Sequence, residues 1–393
     1  MRKITADYIF PITSKPLKDG VITIDDKGTI LDISPQMMGD DDQSDLEYHR
    51  GIIIPGFINC HCHLELSFFK GMLKEHTGLD VFIRDILALQ RPELEVILKS
   101  IDEAENEMME NGIVAVGDIS NGNTTYLQKA KRKMLYHTFI EVFAFDPTKS
   151  KSVFDNAVSL FNEYPSGLHK SITPHAPYSI SDDLFRMIYD FSKTHDAILS
   201  IHNQECEGEN DLFLTKTGTI YERIKSWGTD LSNFNATGKK SLPSVLHKMP
   251  ESSKILLVHN TVTTEEDIRW ATSQHEQLYW CFCPNANLYI EQKLPNFAAF
   301  INSKARCVVG TDSYASNWSL SILDELKTIS KNAPNIPFET LLKWSTINGA
   351  EFLGYSDQLG SIEVGKQPGL NLLTDIDSNT LALTPDSKVK KII

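Results

Sequence analysis

Apolar and polar positions alternate through the first part of the chain. Ile4-Thr-Ala-Asp-Tyr-Ile-Phe10, Gly20-Val-Ile-Thr-Ile-Asp25 and Thr29-Ile-Leu-Asp-Ile33 keep a period of two, and Lys18-Asp19-Gly20 and Asp26-Lys27-Gly28 punctuate them. Such alternation with polar turns predicts a small antiparallel sheet with one buried face. The last forty residues have the same texture in Gly360-Ser-Ile-Glu-Val-Gly365, Gly369-Leu-Asn-Leu-Leu373 and Lys388-Val-Lys-Lys-Ile-Ile393. Residues 1–54 and 356–393 are therefore expected to fold together as one discontinuous β-sandwich domain.

Between them the pattern changes to strand, polar loop and helix in repetition. Ile52-Ile-Ile54 breaks at Pro55-Gly56 and resumes as Phe57-Ile58 before His61 and His63, which reads as a buried strand. Further apolar runs are Ile113–Asp118, Leu135–Phe143, His169–His175, Ala197–His202, Ile255–His259, Leu278–Cys283 and Arg306–Asp312. Helical periodicity fills Glu93–Asn111, Asp182–Thr194, Glu265–Ser273 and Ser319–Lys331. Eight strands alternating with helices over residues 55–355 predict an α/β fold, a (β/α)8 TIM barrel. The interval from Gly208 to Lys248 is long for one connection, and is expected to form a helix plus a loop over the site.

Composition narrows the function. The 393 residues are 41% hydrophobic and 23% charged, an ordinary globular balance, and the net charge is −14. No clustered Lys/Arg suits nucleic acid or an anionic membrane. No apolar stretch reaches bilayer length and the N-terminus lacks a signal-peptide core, so a cytoplasmic enzyme is expected. The six cysteines sit in or beside apolar runs, where free thiols behave as small hydrophobes. Cys281-Phe-Cys283 has no second pair at zinc-knuckle spacing.

The candidate chemistry lies at strand ends. His61 and His63 end the first strand, His175 the fourth, His202 the fifth, His259 the sixth and Asp312 the eighth. Active sites of such barrels lie at the C-terminal ends of the strands, and buried polar tips at so many of them need a common partner. Clustered His and Asp suit a metal ion. Glu205, three residues after His202, can turn back into the same cavity as an acid–base carboxylate.

Pro55-Gly-Phe-Ile-Asn-Cys-His-Cys-His63, Thr173-Pro-His-Ala-Pro-Tyr-Ser179, His202-x-x-Glu205, Val258-His-Asn260, Cys283-Pro-Asn-Ala-Asn287 and Gly310-Thr-Asp312 occur in that order. Together they resemble the amidohydrolase superfamily, in its branch of cytosine, guanine and adenosine-derivative deaminases and triazine hydrolases. Leu359-Gly-Ser-Ile-Glu-Val-Gly-Lys366 resembles that family's return strand. The resemblance implies one Zn2+ per chain, or Fe2+, held by His61, His63, His202 and Asp312. It also implies His259 beside the developing tetrahedral centre, Glu205 as proton shuttle and Asp312 as the base for water. Binuclear relatives carry a carboxylated lysine where this chain has Thr173-Pro174-His175, which points to a single metal.

His63-Leu-Glu-Leu-Ser67 resembles the 6-aminodeoxyfutalosine deaminases. The expected activity is hydrolytic deamination of an aminopurine or its nucleoside, a small-molecule substrate. The alternatives are hydrolysis of another C–N or C–Cl bond, as in a triazine or imidazolone, and a non-catalytic scaffold. Glu65 is a candidate for ribose or base contacts, or for a partner behind the ligands. His175 is a candidate for substrate contact or for bracing the metal cluster. Arg84 and Asn285, with Phe68, Phe69, Phe82 and Asn287, are further candidates for the pocket. A homodimer is the expected assembly.

Overall fold

The computed structural model describes residues 1–35, 46–232, 234–377 and 380–393. Parts of the expected terminal domain (36–45 and 378–379) and Asn233, in the 208–248 interval, lie outside the described residues.

Both ends of the chain meet in one seven-stranded sheet. Its order is Lys388–Lys391, Leu370–Thr374, Leu46–Pro55, Arg2–Ile9, Gly20–Ile24, Ile30–Pro35, with the short strand Leu17–Lys18 also on Arg2–Ile9. The alternation buries Ile4, Ala6, Ile9, Ile22, Ile24, Ile53, Leu370 and Leu372 in a common apolar cluster. The sheet is mixed, since Arg2–Ile9 runs parallel to Leu46–Pro55. Gly360–Gly365, expected as a strand, is a turn: Ile362 N–H donates to the carbonyl of Pro11 and Gly365 N–H to that of Ile30. These bonds tie the turn to the sheet without extending it.

The apolar run around Pro55-Gly56 is two strands. Leu46–Pro55 belongs to the terminal sheet, and Phe57–Cys62 opens the next one. Gly56 sits at the change because a Cβ there would lie 2.4 Å from Val114 Cγ1 and 2.8 Å from the Pro368 carbonyl.

Two parallel four-stranded sheets carry the central part. The first runs Phe57–Cys62, Ile113–Ser120, Leu135–Val142, His169–Pro174, and the second Leu199–Asn203, Ile255–His259, Leu278–Phe282, Cys307–Val309. They face a shared core in which Ile58, Cys60, Ala115 and Phe139 join Leu256, Val258, Cys281 and Val308. Phe352, from the helix Ile347–Leu353, touches Phe139 of one sheet and Tyr279 of the other, at ring-centroid distances of 6.2 and 5.2 Å. Strands buried on both faces need no polar face, which explains their continuous apolar runs. His202 N–H donates to the His175 carbonyl at 2.9 Å, and Asp312 N–H to the His61 carbonyl at 3.0 Å. The two sheets are thus joined at both seams.

Some helices start where a side chain satisfies free N–H groups. Ser181 accepts from Leu184 N–H and Thr264 forms a capping box with Asp267. The 208–248 interval is more helical than expected, with helices Glu207–Thr215, Gly218–Ser226 and Ser241–Val245. Asn210 Oδ1 holds the last of these through Ser241, and Arg223 reaches Asp80 on the helix Leu79–Ala88. Among the described residues no helix is long and apolar enough to cross a membrane.

Candidate active site

His61 and His63, two residues apart, share one side of the chain by ordinary alternation, and an irregularity just before them turns His61 to that side. Strict alternation would put Cys60 and His61 on opposite faces, yet Cys60 lies in the shared core and His61 in the cluster above it. The pairing with the neighbouring strand slips between Asn59 and Cys62, a bulge that re-aims the side chains. His61 Nε2 and His63 Nε2 lie 3.1 Å apart. Asp312 Oδ1 is 3.6 Å from the first and 3.4 Å from the second. Gly310 allows this approach, since a Cβ there would lie 2.8 Å from His61 Cβ. Asn59 locks the same seam by accepting from Thr311 N–H and donating to Thr311 Oγ1.

His202 completes the group, and the three histidines offer ring nitrogens within 4.8 Å of one another. Its Nδ1 is 2.7 Å from the His175 carbonyl, an acceptor only, so Nδ1 carries the hydrogen and Nε2 is the free donor atom. Burial lowers the pKa of His63 to about 3 and that of His259 to about 4, and holds His202 well below its usual value. Burial alone would raise the Asp312 carboxyl, but hydrogen bonding to His61 and the electrostatic influence of the neighbouring His63 and His259 rings hold it below the carboxylate range. Neutral imidazoles around an ionised carboxylate are what a divalent cation requires, and this donor set fits one.

A second pair stands beside that group. Glu205 Oε1 is 3.7 Å from His259 Nε2. Burial, with Asp312 nearby, pushes the Glu205 carboxyl well up. Glu209, on the following helix, accepts from the N–H groups of Gln204 and Glu205 and so fixes the loop. His259 Nδ1 lies 2.8 Å from Asn287 Oδ1, which leaves Nε2 turned to Glu205. Ser316 Oγ donates to Asp312 Oδ2 at 2.5 Å. Gln204, His259, Asn260 and Asp312 all have positive φ, at 45°, 72°, 58° and 57°. Left-handed backbone costs non-glycine residues energy, and its concentration here marks a site where geometry outweighs local preference.

The remaining candidates divide. His175 joins the cluster, its ring centroid 4.8 Å from that of His202. Glu65 is buried but takes its hydrogen bond from Asn121 N–H, behind the histidines. Asn285 is also turned away: its N–H donates to Glu325 and its Oδ1 accepts from Thr328. Arg84 is exposed and pairs with Asp85, so it is not brought to the cluster. Phe68, Phe69 and Phe82 pack with Leu73 and Ala315, as core residues do. Among the six free, buried cysteines none joins the histidines.

Sequence reasoning missed Glu141 and Asn121. Glu141 ends the third parallel strand, 3.6 Å from His202 Nδ1, and Asn121 Nδ2 donates to its Oε2 at 2.9 Å. Burial raises its pKa to about 7, although the Asn121 bond opposes the shift. The alternation His137, Phe139, Glu141 was the available signal, since Phe139 faces the shared core.

Known proteins resemble this chain in sequence and in fold. The sequence pattern of the amidohydrolase family matches residues 52–393. A 5-methylthioadenosine/S-adenosylhomocysteine deaminase of Teredinibacter turnerae is 27% identical over 85% of this chain and 73% of its own length. An adenosine deaminase of Helicobacter pylori is 24% identical over 89% of this chain and 87% of its own. In three dimensions the chain is similar to the crystal structure of Helicobacter pylori aminofutalosine deaminase with methylthio-coformycin. The TM-score there is 0.79 at 21% identity, covering 98% of this chain and 94% of that one. The zinc complex of an atrazine chlorohydrolase from Arthrobacter aurescens gives 0.74 at 17% identity, over 94% and 86%. Since the family pattern spans both parallel sheets and the C-terminal strands of the third, the chain belongs to the amidohydrolase family.

Proposed function

We propose that this chain is a metal-dependent hydrolytic deaminase of an adenosine derivative, replacing the ring amino group with oxygen and releasing ammonia. The observation that carries the reading is the buried group of His61, His63, His202 and Asp312 beside the Glu205–His259 pair. The deaminase names of relatives matched along most of the chain support the reaction class. Zinc is the proposed metal, one per chain, supported by the three-imidazole, one-carboxylate donor set and by zinc in similar structures. The same reading takes the two parallel sheets as a closed (β/α)8 barrel over residues 55–355. Residues 1–54 and 356–393 form the accompanying β domain.

His61, His63, His202 and Asp312 would hold the metal, which supplies Lewis acidity and a water acidic enough to react near neutral pH. The chain's own groups do the rest. Asp312, ionised and steadied by Ser316, accepts a proton from the attacking water. Glu205, kept protonated by burial, gives its proton to the ring nitrogen next to the carbon under attack. The proton on Asp312 then leaves with the amino group as ammonia, and Glu205 takes back the proton of the added hydroxyl as the ring carbonyl forms, so both acid–base groups are restored. His259, its Nδ1 hydrogen held by Asn287, presents the Nε2 lone pair to the protonated Glu205 carboxyl and to the hydroxyl that replaces the amino group.

Ammonia release by zinc-loaded protein tests the proposal. The panel is 6-aminodeoxyfutalosine, adenosine, 5'-deoxyadenosine, methylthioadenosine, S-adenosylhomocysteine, guanine, cytosine and a chloro-triazine. Turnover of at least one adenosine derivative at a kcat/KM above about 10⁴ M⁻¹s⁻¹ is expected. Silence on every adenosine derivative, with metal bound, would overturn it.

A further inference from the structure

We infer that Glu141 and His175 form an acceptor pair that recognises a vicinal diol of the substrate, the 2',3'-hydroxyls of a ribosyl group; this rests on the deaminase reading above. Glu141 Oε2 is taken up by Asn121, whose own N–H is held by Glu65. Its Oε1 is buried and has no hydrogen-bond partner among the described residues, and the whole side chain is 3% exposed. The nearest imidazole nitrogen, His202 Nδ1 at 3.6 Å, already gives its hydrogen to the His175 carbonyl. A carboxylate oxygen enclosed in this way needs a donor from outside the chain.

His175 presents the same polarity. Its Nδ1 lies 2.8 Å from Ser179 Oγ. That hydroxyl gives its hydrogen to the Ala176 carbonyl and also receives Ala176 N–H. Ser179 Oγ can therefore only accept from His175, which puts the imidazole hydrogen on Nδ1 and leaves Nε2 as a lone pair. His175 is half-buried, and the 53%-exposed ring of Phe143 stands against it edge-on at 6.0 Å. A carboxylate oxygen and an imidazole nitrogen thus sit next to His202, with atoms of all three within 4.8 Å.

Two neighbouring acceptors select a ligand with two neighbouring donors. An adenine ring offers acceptors at its ring nitrogens, and its amino group is committed to the reaction. The donors left on an adenosine derivative are the sugar hydroxyls. Glu65 and Asn121 are then positioning residues: the carboxylate after the first strand holds the amide after the second, which aims the carboxylate ending the third.

The test compares wild type, Glu141→Ala, Glu141→Gln and Asn121→Ala in metal content, in kcat and KM, and in calorimetric binding of inosine and 2',3'-dideoxyinosine. Wild type should prefer the ribosyl compound in both binding and kcat/KM. Glu141→Ala should lose about 10²-fold toward ribosyl substrates, mostly in KM, keep its metal, and lose the preference over dideoxy compounds. Asn121→Ala should move the same way by about tenfold. Equal losses on ribosyl and dideoxy compounds, or loss of metal, would make Glu141 a brace for His202 and overturn the inference. A second metal per wild-type chain that disappears in Glu141→Ala would overturn it in favour of a cation site. If the enzyme deaminates only bases or triazines and ignores the sugar, the diol inference fails while the hydrolase chemistry stands. Full activity on ribosyl substrates in Glu141→Gln and Glu141→Ala also overturns it.

Discussion

The group of His61, His63, His202 and Asp312 and the neighbouring pair of Glu141 and His175 are built differently. His61, His63, His202 and Asp312 converge from ends of strands at two seams, and backbone hydrogen bonds fix their relative positions. Glu141 and His175 also sit at strand ends, but loop groups set their roles: Asn121 aims one, and Ser179 fixes the tautomer of the other. Chemistry dictates residue identity in the group of four, because few side chains bind a divalent cation. In the pair many polar residues would serve, and only their contacts reveal the function.

Substitutions that remove a proton carrier without changing shape should have the largest effect on this contrast. Asp312→Asn should preserve the fold and lower turnover by at least about 10³-fold, and Glu205→Gln should retain the metal while losing about 10²- to 10⁴-fold in kcat. Steady-state kinetics with parallel metal analysis checks both. Loss of metal in Glu205→Gln would move that residue into the coordinating group. Asn287→Ala, which frees the His259 tautomer, should cost about 10- to 100-fold with metal retained, and unchanged kcat would remove Asn287 from the account.

A smaller effect reads the buried carboxyls. Burial raises Glu65 and Glu209 to about 7 and Glu325 to about 8. Between the ordinary carboxylate range and these values the folded chain holds protons that the unfolded chain has released, so their contribution to stability falls as pH rises. Below the ordinary histidine pKa of 6.5, His63, His175 and His259 act in the opposite direction. Their folded values are depressed, so the unfolded chain binds more protons there. The carboxyl effect is therefore isolated between pH 6.5 and 8. The melting temperature of metal-stripped protein should drop there by a few degrees, measured by calorimetry at constant ionic strength. A rise over that interval would contradict the burial of these groups.

The sequence showed the strand–helix alternation and the strand-ending histidines plainly, because both follow from periodicity and from restricted ligand chemistry. It missed the division at Gly56, where Ile52-Ile-Ile-Pro-Gly-Phe-Ile58 reads as one buried strand although its halves enter different sheets. Gly360–Gly365 alternates like a strand, but its amides bond to Pro11 and Ile30 as a turn. Arg84 and Asn285 looked useful by type and position. One pairs with its neighbour at the surface and the other braces a helix, and such partners are invisible in a linear pattern. Glu141 was hidden for the converse reason: a lone glutamate in an apolar run has no motif, and its importance comes from the bond to Asn121 and the oxygen left over.

The most direct test of the central claim is metal stoichiometry measured on the same samples as ammonia release from an adenosine derivative, before chelation, after it, and after zinc is returned. About one metal per chain is predicted, with release lost on chelation and restored with the metal. Release that survives complete metal removal would contradict the account, and two metals per chain in the active enzyme would contradict the single-site reading of His61, His63, His202 and Asp312.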